Sequence, residues 1–205
     1  MDATVPAVER PKQGDEVLLV GYRHAIPFMC PAVIVNENPF LVRVEGTPNL
    51  EDVRRIVVVV QNPDRTCRSD ATLMGSTGPE GSLNVELALD GWNNEDRRRC
   101  PRIAVDYPIT LESITESEKG VLFETHVGQL KNLSLVGGLI AADWRPEPRS
   151  LLRWRFVASG NILRGLGLVA RSDANDQTFG LEFVDYVGDG RAQLATLLDA
   201  ALPTD

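Results

Sequence analysis

The chain has 205 residues, 43% of them hydrophobic and 24% charged, with a formal net charge of −8. That is enough apolar material for two ordinary domains with cores of their own, and the negative balance opposes generic attraction to DNA or to an anionic membrane surface. Cys30, Cys67 and Cys100 are odd in number and widely spaced, which suits reduced thiols in a cytoplasmic protein better than a disulfide frame or a metal site.

Residues 1–13 form a polar, proline-bearing tail with acids where a signal peptide would need an apolar stretch. The longest strongly apolar run, Ile56 to Val60, is too short to cross a bilayer, so no membrane insertion is expected. From Glu16 onward, short apolar segments alternate with turn residues, the pattern of an all-β chain. Strands are predicted at Glu16–Gly21, Pro31–Asn36, Phe40–Glu45, Arg54–Gln61, Thr66–Met74 and Leu83–Leu89. Turns fall at Asn36–Pro39 and Gln61–Arg65, and a loop at Gly75–Gly81. In the last strand Leu83, Val85, Leu87 and Leu89 share one face while Asn84 and Glu86 take the other.

Asp90–Asp96 then reads as a polar hinge. It places the boundary near residue 94, dividing the chain into a tail (1–13), a first domain (14–94) and a second (95–205). The second half is again β. Ile103, Val105, Tyr107, Ile109 and Leu111 alternate with polar or small residues, and Val121, Phe123, Thr125 and Val127 do so after a turn at Lys119–Gly120. Leu152, Trp154, Phe156 and Ala158 oppose Arg153 and Arg155, giving a half-buried strand with a charged outer face. Ile162–Ala170 and Thr178–Val184 complete the strands. Asp189 can cap a final helix with Leu194, Leu197, Leu198 and Ala201 on one stripe. The expectation is two small β-barrels in tandem, the second with a short C-terminal helix.

Two short segments stand out chemically. Arg97, Arg98, Arg99 and Arg102 put four positive charges into six positions of an acidic chain. Their repulsion is relieved either by carboxylates such as Glu95, Asp96 and Asp106, as in an exposed linker, or by an anionic ligand. The second segment is Lys131–Gly138, read as a strand–turn–strand connection. There Asn132 and Ser134 offer short donors and acceptors, and Gly137 and Gly138 let the backbone bend or approach a partner closely.

In order and at this separation, the two segments resemble the signature of the PilZ family of cyclic di-GMP receptors. That signature is Arg-x-x-x-Arg before the first barrel strand and Asp/Asn-x-Ser-x-x-Gly some thirty residues later. Arg98 and Arg102 match the first motif, with Arg97 as the frequent preceding arginine; Asn132, Ser134 and Gly137 match the second. Phe179–Phe183 looks like the family's Gly-x-Glu-Phe strand. The resemblance covers residues 95–201 and implies a six-stranded PilZ barrel that binds cyclic di-GMP. Arg97, Arg98 and Arg102 would clamp guanine and phosphate, and Asn132, Ser134, Gly137 and Gly138 would line the opposite side. More loosely, by strand pattern and domain order, the first half resembles the split barrel preceding PilZ in flagellar-brake proteins.

The function so implied is a second-messenger receptor controlling motility, biofilm or virulence. It needs no cofactor or metal, is not an enzyme, and passes its signal to a downstream protein partner by rearranging its domains. Two alternatives stand beside it. One is a PilZ-fold interaction module without ligand binding. The other is a barrel for single-stranded nucleic acid, which would need aromatics interleaved with basic residues; Trp154 lies on the opposite strand face from Arg153 and Arg155. His24 and His126, the two histidines, have no neighbours of catalytic or metal-binding type in the sequence.

Overall fold

The computed structural model describes residues 10–24, 26–46, 50, 52–53, 55–61, 65–79, 81–96, 100–117, 120–173 and 177–201. The chain divides after Arg98 into two compact units. Each is an antiparallel barrel, so the two tandem barrels and the C-terminal helix expected from the sequence are present.

The first unit contains β1 (Glu16–Arg23), β2 (Ile26–Glu37), β3 (Phe40–Glu45), β4 (Ile56–Gln61), β5 (Arg65–Thr77), β6 (Ser82–Leu89) and β7 (Asn93–Asp96). Six strands close in the order β4-β1-β2-β3-β6-β5, because the first half of β5 pairs back onto β4 (Ile56↔Ala71) while its second half pairs with β6 (Ala71↔Leu89). Alternation fills the interior: Leu19, Ile34, Val42, Ile56, Val58 and Val85 are fully buried in one cluster. Three expectations change here, the first being that β5 runs on to Thr77, through the start of the loop expected at Gly75–Gly81. The polar stretch read as a hinge contains β7, whose Asn93 and Asn94 pair with Arg68 and Cys67 of β5. The second strand also begins five residues early, at Ile26, because Pro27 and Pro31 still pair with Tyr22 and Leu18 of β1.

The second unit contains β8 (Ile103–Ser117), β9 (Gly120–Ser134), β10 (Gly137–Ala141), β11 (Leu151–Ala158), β12 (Asn161–Asp173), β13 (Thr178–Tyr186) and helix α1 (Gly190–Ala201). The strands close as β10-β13-β12-β11-β8-β9. Trp154 sits at the centre of the core, 4.4 Å between ring centroids from Phe183 and 5.7 Å from Phe156. Its cross-strand partner is Gly165, where a β-carbon would stand 2.8 Å from the indole. That missing side chain makes room for the ring. Leu194 and Leu198 of α1 join the same cluster, and Leu197 packs against it.

One stripe in β9 faces the other way from what its apolar character suggests. Leu111 and Ile109 point inward, and their partners are His126 and Gly128. Val127 is therefore 72% exposed and Phe123 39% exposed, the latter beneath the Arg153 guanidinium at 5.0 Å. No helix among the described residues is long and apolar enough to cross a membrane.

Candidate ligand-binding site

The site is built on the start of β8 and on the β9–β10 hairpin. Arg102 is exposed and immediately precedes β8; Arg97 and Arg98 lie outside the described residues. The first pairs of the β8–β9 ladder are Ile103↔Leu133 and Ala104↔Asn132. Leu133 is fully buried in the core and Ile103 packs against it, so alternation turns Arg102, Ala104 and Asn132 to the outer surface. Ala104 is small and exposed. The register thus brings one member of each motif together on one patch, with little side chain between them.

Asn132 is held by the hairpin itself. Its Oδ1 accepts a hydrogen bond from the Leu139 amide at 3.0 Å, where the β9–β10 ladder slips by one residue. Ser134 ends β9. It is 1% exposed; its hydroxyl donates to the Gly137 carbonyl at 3.0 Å and accepts from the Val136 amide at 3.4 Å. The hydroxyl closes the two-residue turn between β9 and β10.

The glycines likewise serve sheet packing. A β-carbon on Gly137 would fall on the Leu181 carbonyl oxygen of β13. One on Gly138 would lie 2.5 Å from Leu130 Cδ1 and 2.7 Å from the Asn132 carbonyl. At both glycines the missing β-carbon leaves room for neighbouring backbone or side chains. From β13, the Phe183 amide bonds the Val136 carbonyl at 3.0 Å and the Tyr186 hydroxyl bonds the Leu135 carbonyl at 2.6 Å. The turn is therefore fixed from both sides.

A charged pair borders the patch. Lys131 Nζ lies 2.7 Å from Asp106 Oδ1. The hydrogen bond from Lys131 is the main cause holding the Asp106 carboxyl below its usual range; the ammonium's charge and a Gln129 hydrogen bond add to it. Asp106 had been expected among the carboxylates that could neutralise the arginine run. The pairing of Asp106 with Lys131, 25 residues apart in sequence, is set by the folded ladder.

The histidines sit elsewhere. His24 Nε2 is 3.0 Å from Asp52 Oδ2 at an exposed position. His126 stacks on Trp144 at 3.7 Å, with its Nε2 3.3 Å from Ser113 Oγ. Among the described residues, no group of three or more His, Cys, Asp or Glu could hold a metal ion.

No protein-family model and no curated protein matches the sequence. Among solved structures, the chain is similar to the Bacillus subtilis inhibitor of motility MotI/DgrA, with 13% identity, TM-score 0.39, and coverage of 93% of this chain and 97% of that one. It is also similar to Escherichia coli YcgR in complex with c-di-GMP, with 12% identity, TM-score 0.39, and coverage of 90% and 83%. A third is the K. pneumonia MrkH–c-di-GMP complex, with 12% identity, TM-score 0.38, and coverage of 90% and 85%.

Proposed function

We propose that the chain is a cyclic di-GMP receptor whose ligand sits on the outer surface of the second barrel, between Arg98 and Arg102 on one side and Asn132 on the other. The observation that carries this reading is the ladder register. Ala104, two residues after Arg102, pairs with Asn132 of the Asn-x-Ser-x-x-Gly hairpin; Arg102 and Ala104 are exposed and Asn132 is half-buried. Cyclic di-GMP presents two phosphates and two guanines. An arginine fork pairs bidentately with phosphate oxygens or with guanine O6 and N7, and its flat face stacks on a purine. A charged hydrogen bond contributes about 1.5–3 kcal/mol, and micromolar binding needs about 8 kcal/mol. Several such contacts therefore suffice even when ordering of the loop opposes them. Ser134, Gly137 and Gly138 shape and stiffen the hairpin that presents Asn132.

In this reading the signal leaves through the arginine segment. The chain passes from one unit to the other after Arg98, so clamping Arg98 and Arg102 on an anion changes the freedom of the connection. A downstream protein then reads the altered arrangement.

Calorimetric titration with cyclic di-GMP, with GMP and cyclic di-AMP as controls, tests the function. Saturable binding of cyclic di-GMP alone is expected. Arg102→Ala removes most of the affinity while the unfolding free energy stays within about 0.5 kcal/mol of wild type, as for other exposed substitutions. Arg102→Lys also binds poorly, because charge without the planar fork does not replace the contact. Wild-type affinity in Arg102→Ala would reject the site.

A further inference from the structure

We propose that Lys131 is a further cationic ligand for the phosphates at this site, and that Asp106 is its resident counter-ion, released when the ligand binds. The inference rests on the cyclic di-GMP reading and adds to it a residue outside both motifs. Its starting point is the backbone. Between the pairs Ala104↔Asn132 and Tyr107↔Leu130, Val105 and Asp106 of β8 face the single residue Lys131 of β9. On the other side, β10 pairs Leu139 with Asn132 and Ile140 with Leu130, again passing over Lys131. Lys131 is thus the extra residue of the β9–β10 ladder and the single residue facing the bulge of β8, and such bulges re-aim side chains out of the regular pleat. The residue re-aimed here is a cation directly adjacent to Asn132.

The Lys131–Asp106 pair has the properties of an exchangeable one. Its partners are 2.7 Å apart yet 45% and 68% exposed. Exposed ion pairs are weak, being screened by salt and opposed by side-chain entropy. Lysine carries its charge on a flexible four-carbon stem with three donors, so it can leave one oxygen for another without a fixed geometry. Asp106 keeps solvent and its Gln129 hydrogen bond when Lys131 leaves. A phosphate over Asn132 offers Lys131 a charge equal to that of the carboxylate, in a setting where the arginines already attract it.

Titrations of the full chain with cyclic di-GMP, for wild type, Lys131→Ala, Asp106→Asn and the double variant, test the proposal. Lys131→Ala is expected to weaken binding several-fold with an unchanged melting temperature. Asp106→Asn should tighten it about two- to five-fold at low salt, the scale of a released exposed pair, and the gain should shrink at 0.5 M salt, where the screening length falls to about 4 Å. The double variant should bind like Lys131→Ala, because the gain acts through the lysine. Unchanged or weaker binding by Asp106→Asn, or a gain that persists without Lys131, overturns the proposal. If Arg102→Ala abolishes binding while both Lys131 and Asp106 variants are silent, this inference alone fails. If wild type does not bind cyclic di-GMP, the functional reading falls with it.

Discussion

The Tyr186 hydroxyl donates a 2.6 Å hydrogen bond to the Leu135 carbonyl, joining the end of β13 to the tip of the β9–β10 turn across 51 residues of sequence. Inside that turn the Ser134 hydroxyl bridges to the Gly137 carbonyl. Both bonds satisfy backbone groups that the ladder leaves over, so losing either strands a polar atom in a buried setting. Tyr186→Phe and Ser134→Ala are each expected to cost about 1–2 kcal/mol of stability. Cyclic di-GMP affinity should fall only moderately, because Asn132 is then presented on a looser hairpin. Denaturant melts and titrations on the same samples check this. An affinity loss in Ser134→Ala without any loss of stability would instead put the hydroxyl in contact with the ligand.

Gly137 and Gly138 should report on packing before they report on binding. The Gly137 β-carbon position is occupied by the Leu181 carbonyl, which belongs to a paired strand and cannot move freely. At Gly138 the Asn132 carbonyl is equally fixed, although Leu130 can rotate away. Gly137→Ala is expected to destabilise the second unit by about 1–3 kcal/mol, the usual scale of overpacking, and Gly138→Ala by somewhat less. Thermal melting with and without ligand distinguishes the effects. A Gly137→Ala variant that melts like wild type but binds weakly would show that the glycine faces ligand and not β13.

How much of this was legible in the sequence follows from the range of the interactions involved. Strand β6 could be read directly because Val85 and Leu87 alternate with polar residues and are buried as the alternation requires. Strand β7 could not. Asn93–Asp96 has no apolar face, and it is a strand only because β5 offers it a backbone ladder. The stripe of Phe123 and Val127 misleads for a related reason, since their outward orientation is set by the pairing of Leu111 with His126. At the site, the motif positions were visible because each lies within a few residues of a strand end. The burial of Ser134, the anchor from Tyr186 and the Lys131–Asp106 pair all depend on contacts between segments distant in sequence.

The two buried cysteines give the protein an alkaline limit. Burial pushes the Cys30 and Cys67 thiols up to about 11 from 9.0. Between these values the unfolded chain loses protons that the folded chain keeps, so stability falls as pH rises through the window and is fully present below pH 9. The loss should be roughly 1 kcal/mol per thiol at pH 10. Urea midpoints at pH 8 and pH 10 for wild type and Cys30→Ala/Cys67→Ala would isolate this contribution from other groups titrating there. The variant should show the smaller decline between the two pH values, and equal declines would mean that the thiols titrate alike in both states. At pH 8 a thiol reagent is expected to modify half-exposed Cys100 first, and the other two only on unfolding.

The passage between the units is expected to respond to the ligand. Residues 97–102 join two separately closed barrels and also hold the arginines of the first motif. If Arg98 and Arg102 clamp the same anion, the segment between them is restricted to fewer conformations. Ligand can shift such an equilibrium only by its difference in affinity between the free and clamped arrangements. A segment that makes the phosphate contacts in one arrangement and none in the other supplies that difference. Saturating cyclic di-GMP should therefore change the small-angle scattering profile at fixed oligomeric state and slow proteolysis at the arginines of 97–102. With Arg102→Ala neither change should occur at the same ligand concentration. The opposing case is a preformed site in which only side chains move, the common behaviour of rigid binding surfaces. It predicts an unchanged profile and unchanged cleavage in wild type at saturation, and the signal would then have to come from the surface that the bound nucleotide itself presents beside Asn132.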